Sequence, residues 1–351
     1  MPRDDSSDVG HPSGQDVGLP LPNFAHLRNL TDERGLWEHA RYSAPRREHG
    51  FCTDDNARAL VIVAREENDD VTDIAEIYAR FVLAARRPDG TFHNRRDSTG
   101  SWVDGKGSDD SQGRAWWGLG AIARQAPDPW MQADALAEFE TCATFESTHV
   151  RANAYAALGA AAVVAGNTTC QPALELLDRT STLITTAARS VIPWPEVRLT
   201  YDNARIPEAL IAAGVALGDG RRTALGMRLL EWLTLGESRV DHFSFTPVGG
   251  RTHGDRGPTF DQQPLEAWAM ADACQRAWAV TGEPAWKRRA LQAGRWLLGK
   301  NDMNAVLYDI DTGGTFDGLT PDGVNANQGA ESTLAGIGAL QVGARCQHDS
   351  T

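Results

Sequence analysis

Seven carboxylates stand where helices should begin. Asp54-Asp55 and Asp109-Asp110 are adjacent pairs at the heads of apolar runs, and Asp202, Asp261 and Glu331 mark three further starts. One aspartate at a helix start caps exposed backbone N–H groups and gains from the helix dipole. The second member of each doublet is surplus to that task. Paired carboxylates can cleave a glycosidic bond, a protonated acid serving the leaving oxygen while an ionised partner activates water or attacks. The acid needs a raised pKa, which a crowded, partly buried cleft supplies and full exposure does not. For any one of the seven, capping alone is the competing explanation.

Other residue types recur beside these acids. Asp55-Asn56-Ala57-Arg58 is repeated as Asp202-Asn203-Ala204-Arg205, and looser versions carry Gln112 and Arg114, Arg151 and Asn153, Gln263, and Gln328. The amides Asn56, Gln112, Asn203, Gln263 and Gln328 are candidates for binding substrate hydroxyls. Arg58, Arg114, Arg151 and Arg205 suit the same task, or ion pairs that hold the helices together. Between the starts lie Trp102, Trp194, Phe245, Phe316 and Asp317, in loops rich in glycine. Aromatics there either stack on sugar rings or anchor the loops.

The histidines show no compact metal-ligand spacing and no H-E-x-x-H segment, and the glycines form no dinucleotide fingerprint. No metal and no cofactor is expected. His93, His149, His242 and His253 leave open a general acid or base for sugar isomerisation.

These residues need a scaffold. The amide-bearing starts are 41 to 65 residues apart, a spacing of repeated supersecondary units. A second helical segment fits between successive starts, near 73–87, 129–145, 172–189, 221–235 and 283–300. The first has Ile74, Ile77, Tyr78, Phe81 and Val82 at helical spacing with one buried face. The anchored helices, such as 154–165 and 330–344, are instead Ala- and Gly-rich with few charges, as crowding at the centre of a ring requires. Residues 25–42 fill the remaining outer place. The expectation is an all-α chain, an (α/α)6 toroid over residues 23–347, with a flexible tail at 1–22 and a short one at 348–351. Links into the anchored helices are long and the reverse links short, so loops, acids and unsatisfied helix N–H groups share one face. Short extended pieces are expected at 98–103 and 242–248.

Composition agrees. The 351 residues are 41% apolar, enough for a large core, and 47 acidic against 34 basic residues give a formal charge of −13. That balance argues against nucleic acid as a partner. Nothing resembles a membrane span or a secretory signal, and five scattered cysteines suit a reducing compartment, so a cytoplasmic location is expected. The expected partner is a small soluble carbohydrate, and oligomeric state is not legible.

His49-Gly-Phe-Cys-Thr-Asp-Asp-Asn-Ala-Arg58 and Asn327-Gln-Gly-Ala-Glu-Ser-Thr-Leu334 resemble segments of bacterial proteins in the six-hairpin glycosidase superfamily. The resemblance spans roughly residues 25–345. It implies a twelve-helix toroid and acid chemistry in its cleft, in hydrolases and phosphorylases alike. More distantly the chain resembles the N-acylglucosamine epimerase type, with the same ring and histidine-based chemistry. The expected function is glycoside hydrolysis. Phosphorolysis, sugar epimerisation and non-catalytic carbohydrate binding are its alternatives.

Overall fold

The computed structural model describes residues 18–66, 71–141, 145–188, 194–252, 254–255 and 257–348. Residues 1–17 of the expected tail, residues 189–193 ahead of Trp194, His253 and residues 349–351 lie outside the described residues.

Six helices form a closed inner ring: α2 (Thr53–Val63), α4 (Asp109–Arg124), α6 (Val150–Gly166), α8 (Arg205–Ala216), α10 (Pro264–Thr281) and α12 (Ala330–His348). Each packs on the next, and α12 returns to α2. Outside them stand α3 (Thr72–Ala84), α5 (Pro129–Phe139), α7 (Gln171–Ala187), α9 (Gly220–Glu237), α11 (Pro284–Trp296) and the short α1 (Ala25–Asn29), which packs on α12. This is the all-α (α/α)6 toroid.

Sequence explains the division. The outer α3 buries one stripe, including Ile74, Tyr78 and Phe81, whereas α6 is buried around nearly its whole circumference. Small residues permit that crowding. A Cβ on Gly159 would lie 2.1 Å from the Trp116 carbonyl oxygen, and one on Gly120 would lie 2.2 Å from that of Gly159. No larger side chain fits where α4 crosses α6.

The expected helix at 25–42 ends at Asn29. The chain then makes two small antiparallel ladders, β1 (Thr31–Asp32) with β2 (Gly35–Leu36) and β3 (Ala40–Arg41) with β4 (Ala44–Pro45). Gly35 sits at φ +149°, and a Cβ there would meet the Phe81 ring at 2.7 Å. Two more ladders brace the loop face: β5 (Phe51–Cys52) with β6 (Arg95–Arg96), and β7 (Gly318–Thr320) with β8 (Gly323–Asn325). The segments at 98–103 and 242–248 form no strand and contribute only single bridges, Arg96 to Trp102 and Ser238 to Phe243. Among the described residues no helix is long and apolar enough to cross a membrane.

Candidate active site

A cleft of about 520 Å³ opens on the face where the inner helices begin. Five of the seven candidate acids line it: Asp54 and Asp55 from the first turn of α2, Asp110 from α4, Asp261 ahead of α10, and Glu331 from α12. Arg58, Arg114, Gln263 and Asp317 line it too.

The floor is an ion-pair mesh. Arg58 donates to Asp55 at 2.6 Å and to Glu331 at 2.7 Å, and Arg114 donates to Asp54 at 3.1 Å. Burial pushes the Asp54 carboxyl up, but the Arg114 and Arg58 guanidiniums outweigh it and hold Asp54 below the usual carboxylate range. Burial, opposed by Arg58 and aided by Glu38, raises Asp55. Burial also raises Asp317, which accepts the Gly329 N–H at 2.8 Å and feels the like charge of Glu331. The cleft therefore holds an ionised carboxylate, Asp54, and one inclined to carry a proton, Asp317. Unlike Asp55, Asp317 has no guanidinium on it among the described residues.

Behind Arg114 a polar chain runs into the ring. Arg114 donates to the Tyr155 hydroxyl at 2.8 Å, and Tyr155 donates to Asp202 at 2.7 Å. Asp202 lies 3.4 Å from Arg205, itself bonded to Glu208 and Asp272.

Asp109 and Asp202 are not at the cleft. Asp109 accepts from Ser147 at 2.7 Å and from Lys106, while Asp202 is wholly buried. The repeated string explains the second case: α2 begins before Asp55, but α8 begins only at Arg205, which leaves Asp202 at φ +49° beneath the surface.

Most of the repeated amides hold loops. Asn56 accepts from Leu36 N at 3.1 Å, and Gln112 brackets the Phe92 backbone at 2.7 and 2.8 Å. Asn203 accepts from Thr200 N and Arg151, both at 3.1 Å. Near α10 the clamping amide is Gln262, one residue before the Gln263 that faces the cleft; it accepts from Phe245 N at 3.1 Å. Gln328 is buried, with its backbone bonded to Tyr42 and to the His26 ring.

The remaining candidates also stand apart from the cleft. Arg151 pairs with Glu196 at 2.6 Å, and Arg205 is sealed between the Trp117 and Trp268 rings, 4.6 Å from each centroid. Trp194 stacks on Trp232, Phe245 packs on Trp296, Trp102 stacks on His93, and Phe316 lies against the core. The aromatics anchor loops because burial of a large ring stabilises a long connection as effectively as it would bind a sugar.

Several lining residues carried no sequence signal. Glu38 and His39 reach the cleft from the turn between β2 and β3, and Tyr201 donates to Asp110 at 2.5 Å. Tyr201 immediately precedes the repeated string, which was the one available hint. Of the histidines proposed for isomerisation, His93, His149 and His242 do not line the cleft. Glu38, Cys52 and Asp55 offer donor atoms within 4.8 Å of one another, the trio best placed to hold a metal ion among the described residues. Two of its carboxylates already face guanidiniums, Arg58 on Asp55 and Arg95 on Glu38, and burial keeps the Cys52 thiol protonated.

No family model and no curated protein matches the chain. Solved structures do. A sugar epimerase from a ruminal bacterium superposes with a TM-score of 0.66 at 12% identity, covering 92% of this chain and 95% of that one. Cellobiose 2-epimerase from Bacillus thermoamylovorans B4167 gives 0.70 at 9% identity, with 92% and 96% covered. The GH76 alpha-mannanase of Bacteroides thetaiotaomicron gives 0.63 at 10%, with 93% and 94% covered. The chain thus shares the (α/α)6 toroid fold of these structures.

Proposed function

We propose that this chain is a carbohydrate-acting enzyme whose chemistry is proton transfer by carboxylates at the N-terminal face of the inner ring. The observation that carries the reading is the contrast between Asp54, held ionised by Arg114 and Arg58, and Asp317, pushed toward its protonated form by burial in the same cleft. Carboxylates whose surroundings separate their pKa values supply a base and an acid together.

The first reaction this serves is epimerisation or isomerisation of an open-chain sugar. Asp54 removes the proton beside the carbonyl, Asp317 returns one, and the Arg58 and Arg114 guanidiniums stabilise the enolate oxygen between the two steps. Three epimerases and a D-mannose isomerase among the similar structures support this reading. Among the described residues His39 is the sole histidine in the lining, and the acid and base are assigned to carboxylates.

Glycoside hydrolysis is the second reading, favoured by the excess of acids. Among the described residues seven carboxylates face two arginines in the lining, a field that suits the positive charge of an oxocarbenium-like transition state. One experiment separates the two. Aldoses and reducing disaccharides are incubated with the protein in D2O, with and without phosphate. Deuterium at C2 of a recovered or epimerised sugar supports isomerisation, whereas new reducing ends or sugar phosphates support cleavage. Neither product across a broad panel would overturn the enzyme reading.

A further inference from the structure

The ring has a second cavity. It lies at the opposite end, where the inner helices finish, and measures about 460 Å³. It shares no lining residue with the front cleft.

Four arginines converge on this rear cavity: Arg65 just beyond α2, Arg124 in the last turn of α4, Arg276 on α10 and Arg345 on α12. Two carboxylates line it, Glu208 and Asp272, and both are already engaged. Arg205 donates to them at 2.7 and 2.6 Å, Arg65 reaches Asp272 at 2.8 Å, and Arg276 reaches Glu208 at 3.1 Å. Nearby Glu66 accepts from Gln341. Arg65 Nη1 is buried with no hydrogen-bond partner, and Arg124 and Arg345 form no ion pair among the described residues.

A single cation at a helix C-terminus answers the helix dipole. One arginine for each of four helix ends meets that need; what it does not account for is that the four side chains line one cavity, with Arg124 and Arg345 bonded to no carboxylate among the described residues, in a chain whose formal charge is −13. The lining also includes the apolar side chains of Val61, Ala121, Leu158 and Trp117.

We propose that the rear cavity binds a small phosphate-bearing molecule, its phosphate held by Arg65, Arg124 and Arg345 and its body against the apolar side chains. Two unpaired guanidiniums match a phosphate dianion, and the planar fork of arginine pairs with phosphate oxygens in bidentate fashion. The site is independent of the chemistry assigned to the front cleft.

Calorimetric titration of the full chain with inorganic phosphate, glucose 6-phosphate and glucose tests it. Saturable binding of a phosphate compound, weakening steeply with salt, is expected. The Arg124→Ala/Arg345→Ala variant alters two exposed side chains, and its unfolding midpoint checks that it folds. It should weaken Kd roughly tenfold per arginine, equivalent to ~1.4 kcal/mol each. Asp54→Asn, at the front, should leave phosphate affinity unchanged. Inorganic phosphate binding as tightly as the ester makes free phosphate the ligand, and a tighter ester assigns the apolar side chains to the sugar. No saturable binding of either, or binding unaffected by the double variant, overturns the proposal while leaving the front-cleft reading intact.

Discussion

The chain of bonds behind Arg114 invites one change, Tyr155→Phe. The substitution keeps the ring, and with it the stacking on Trp117 and the Arg114 guanidinium 4.4 Å above the ring centroid. It deletes only the hydroxyl that accepts from Arg114 at 2.8 Å and donates to Asp202 at 2.7 Å. Asp202 is wholly buried, so no water replaces the lost donor, and its nearest cations stand at 3.4 Å (Arg205) and 4.0 Å (Arg114). A hydrogen bond to a charged group contributes about 1.5–3 kcal/mol, and this hydroxyl serves two such groups. A loss of about 3 kcal/mol is therefore expected. With an unfolding entropy of about 2.1 cal/mol/K per residue, a chain of this length loses roughly 4 °C in Tm. Differential scanning calorimetry at pH 7 reads the change directly. A midpoint within 1 °C of the parent would refute the network as a structural link between the cleft floor and the ring's centre.

Other consequences are as concrete. Asp54→Asn and Asp317→Asn should each fold normally and lower turnover by about 100-fold or more, the range of positioned proton transfer, once an active sugar is found; near-normal turnover in both would dismiss the carboxylate assignment. Arg114→Gln removes the strongest influence holding Asp54 down, so the acidic limb of kcat/KM should move toward neutral pH, and an unmoved limb would show that Asp54 is not the base. Burial, with Glu237 and Asp202 alongside, pushes Glu266 well above the ordinary range. A carboxyl raised in the folded state stabilises most below its unfolded pKa, and that contribution is lost as pH rises through the folded value. Glu266→Gln keeps a carbonyl for the Asp202 N–H and should raise Tm at pH 8 more than at pH 5; an equal effect at both would contradict the shift. Gly159→Ala forces a Cβ to 2.1 Å from the Trp116 carbonyl, and a cost of about 3 kcal/mol or failure to fold is expected, so an unchanged midpoint would deny the close crossing.

The ring was legible because its signals are periodic and its constraint is geometric. Outer helices must bury one stripe and inner helices nearly all sides, and α3 and α6 carry those patterns openly. The early segment misled because Leu27, Leu30, Leu36 and Trp37 fit a helical spacing, while Gly35 dictates a turn whose partner, Phe81, is remote in sequence. The site was harder to read for a different reason. Asp55 and Asp202 share a four-residue string, and in both copies the aspartate faces the arginine three residues on, at 2.6 Å and 3.4 Å. What differs is where each helix starts, and that is set by the loop arriving from outside. A shift of five residues in the helix start, from Thr53 two residues before Asp55 to Arg205 three residues after Asp202, turns one aspartate toward the cleft and buries its counterpart. The amides follow the same logic: an Asn or Gln able to bind a sugar hydroxyl is equally able to bind a loop's backbone, and Gln112 does so with both ends of its amide. The repeat therefore marks the part of each unit that joins loop to helix. The chemistry proposed for the cleft rests on residues that break the repeat, Asp54 and Asp317, since a ring of equivalent units becomes an active site only where the units differ.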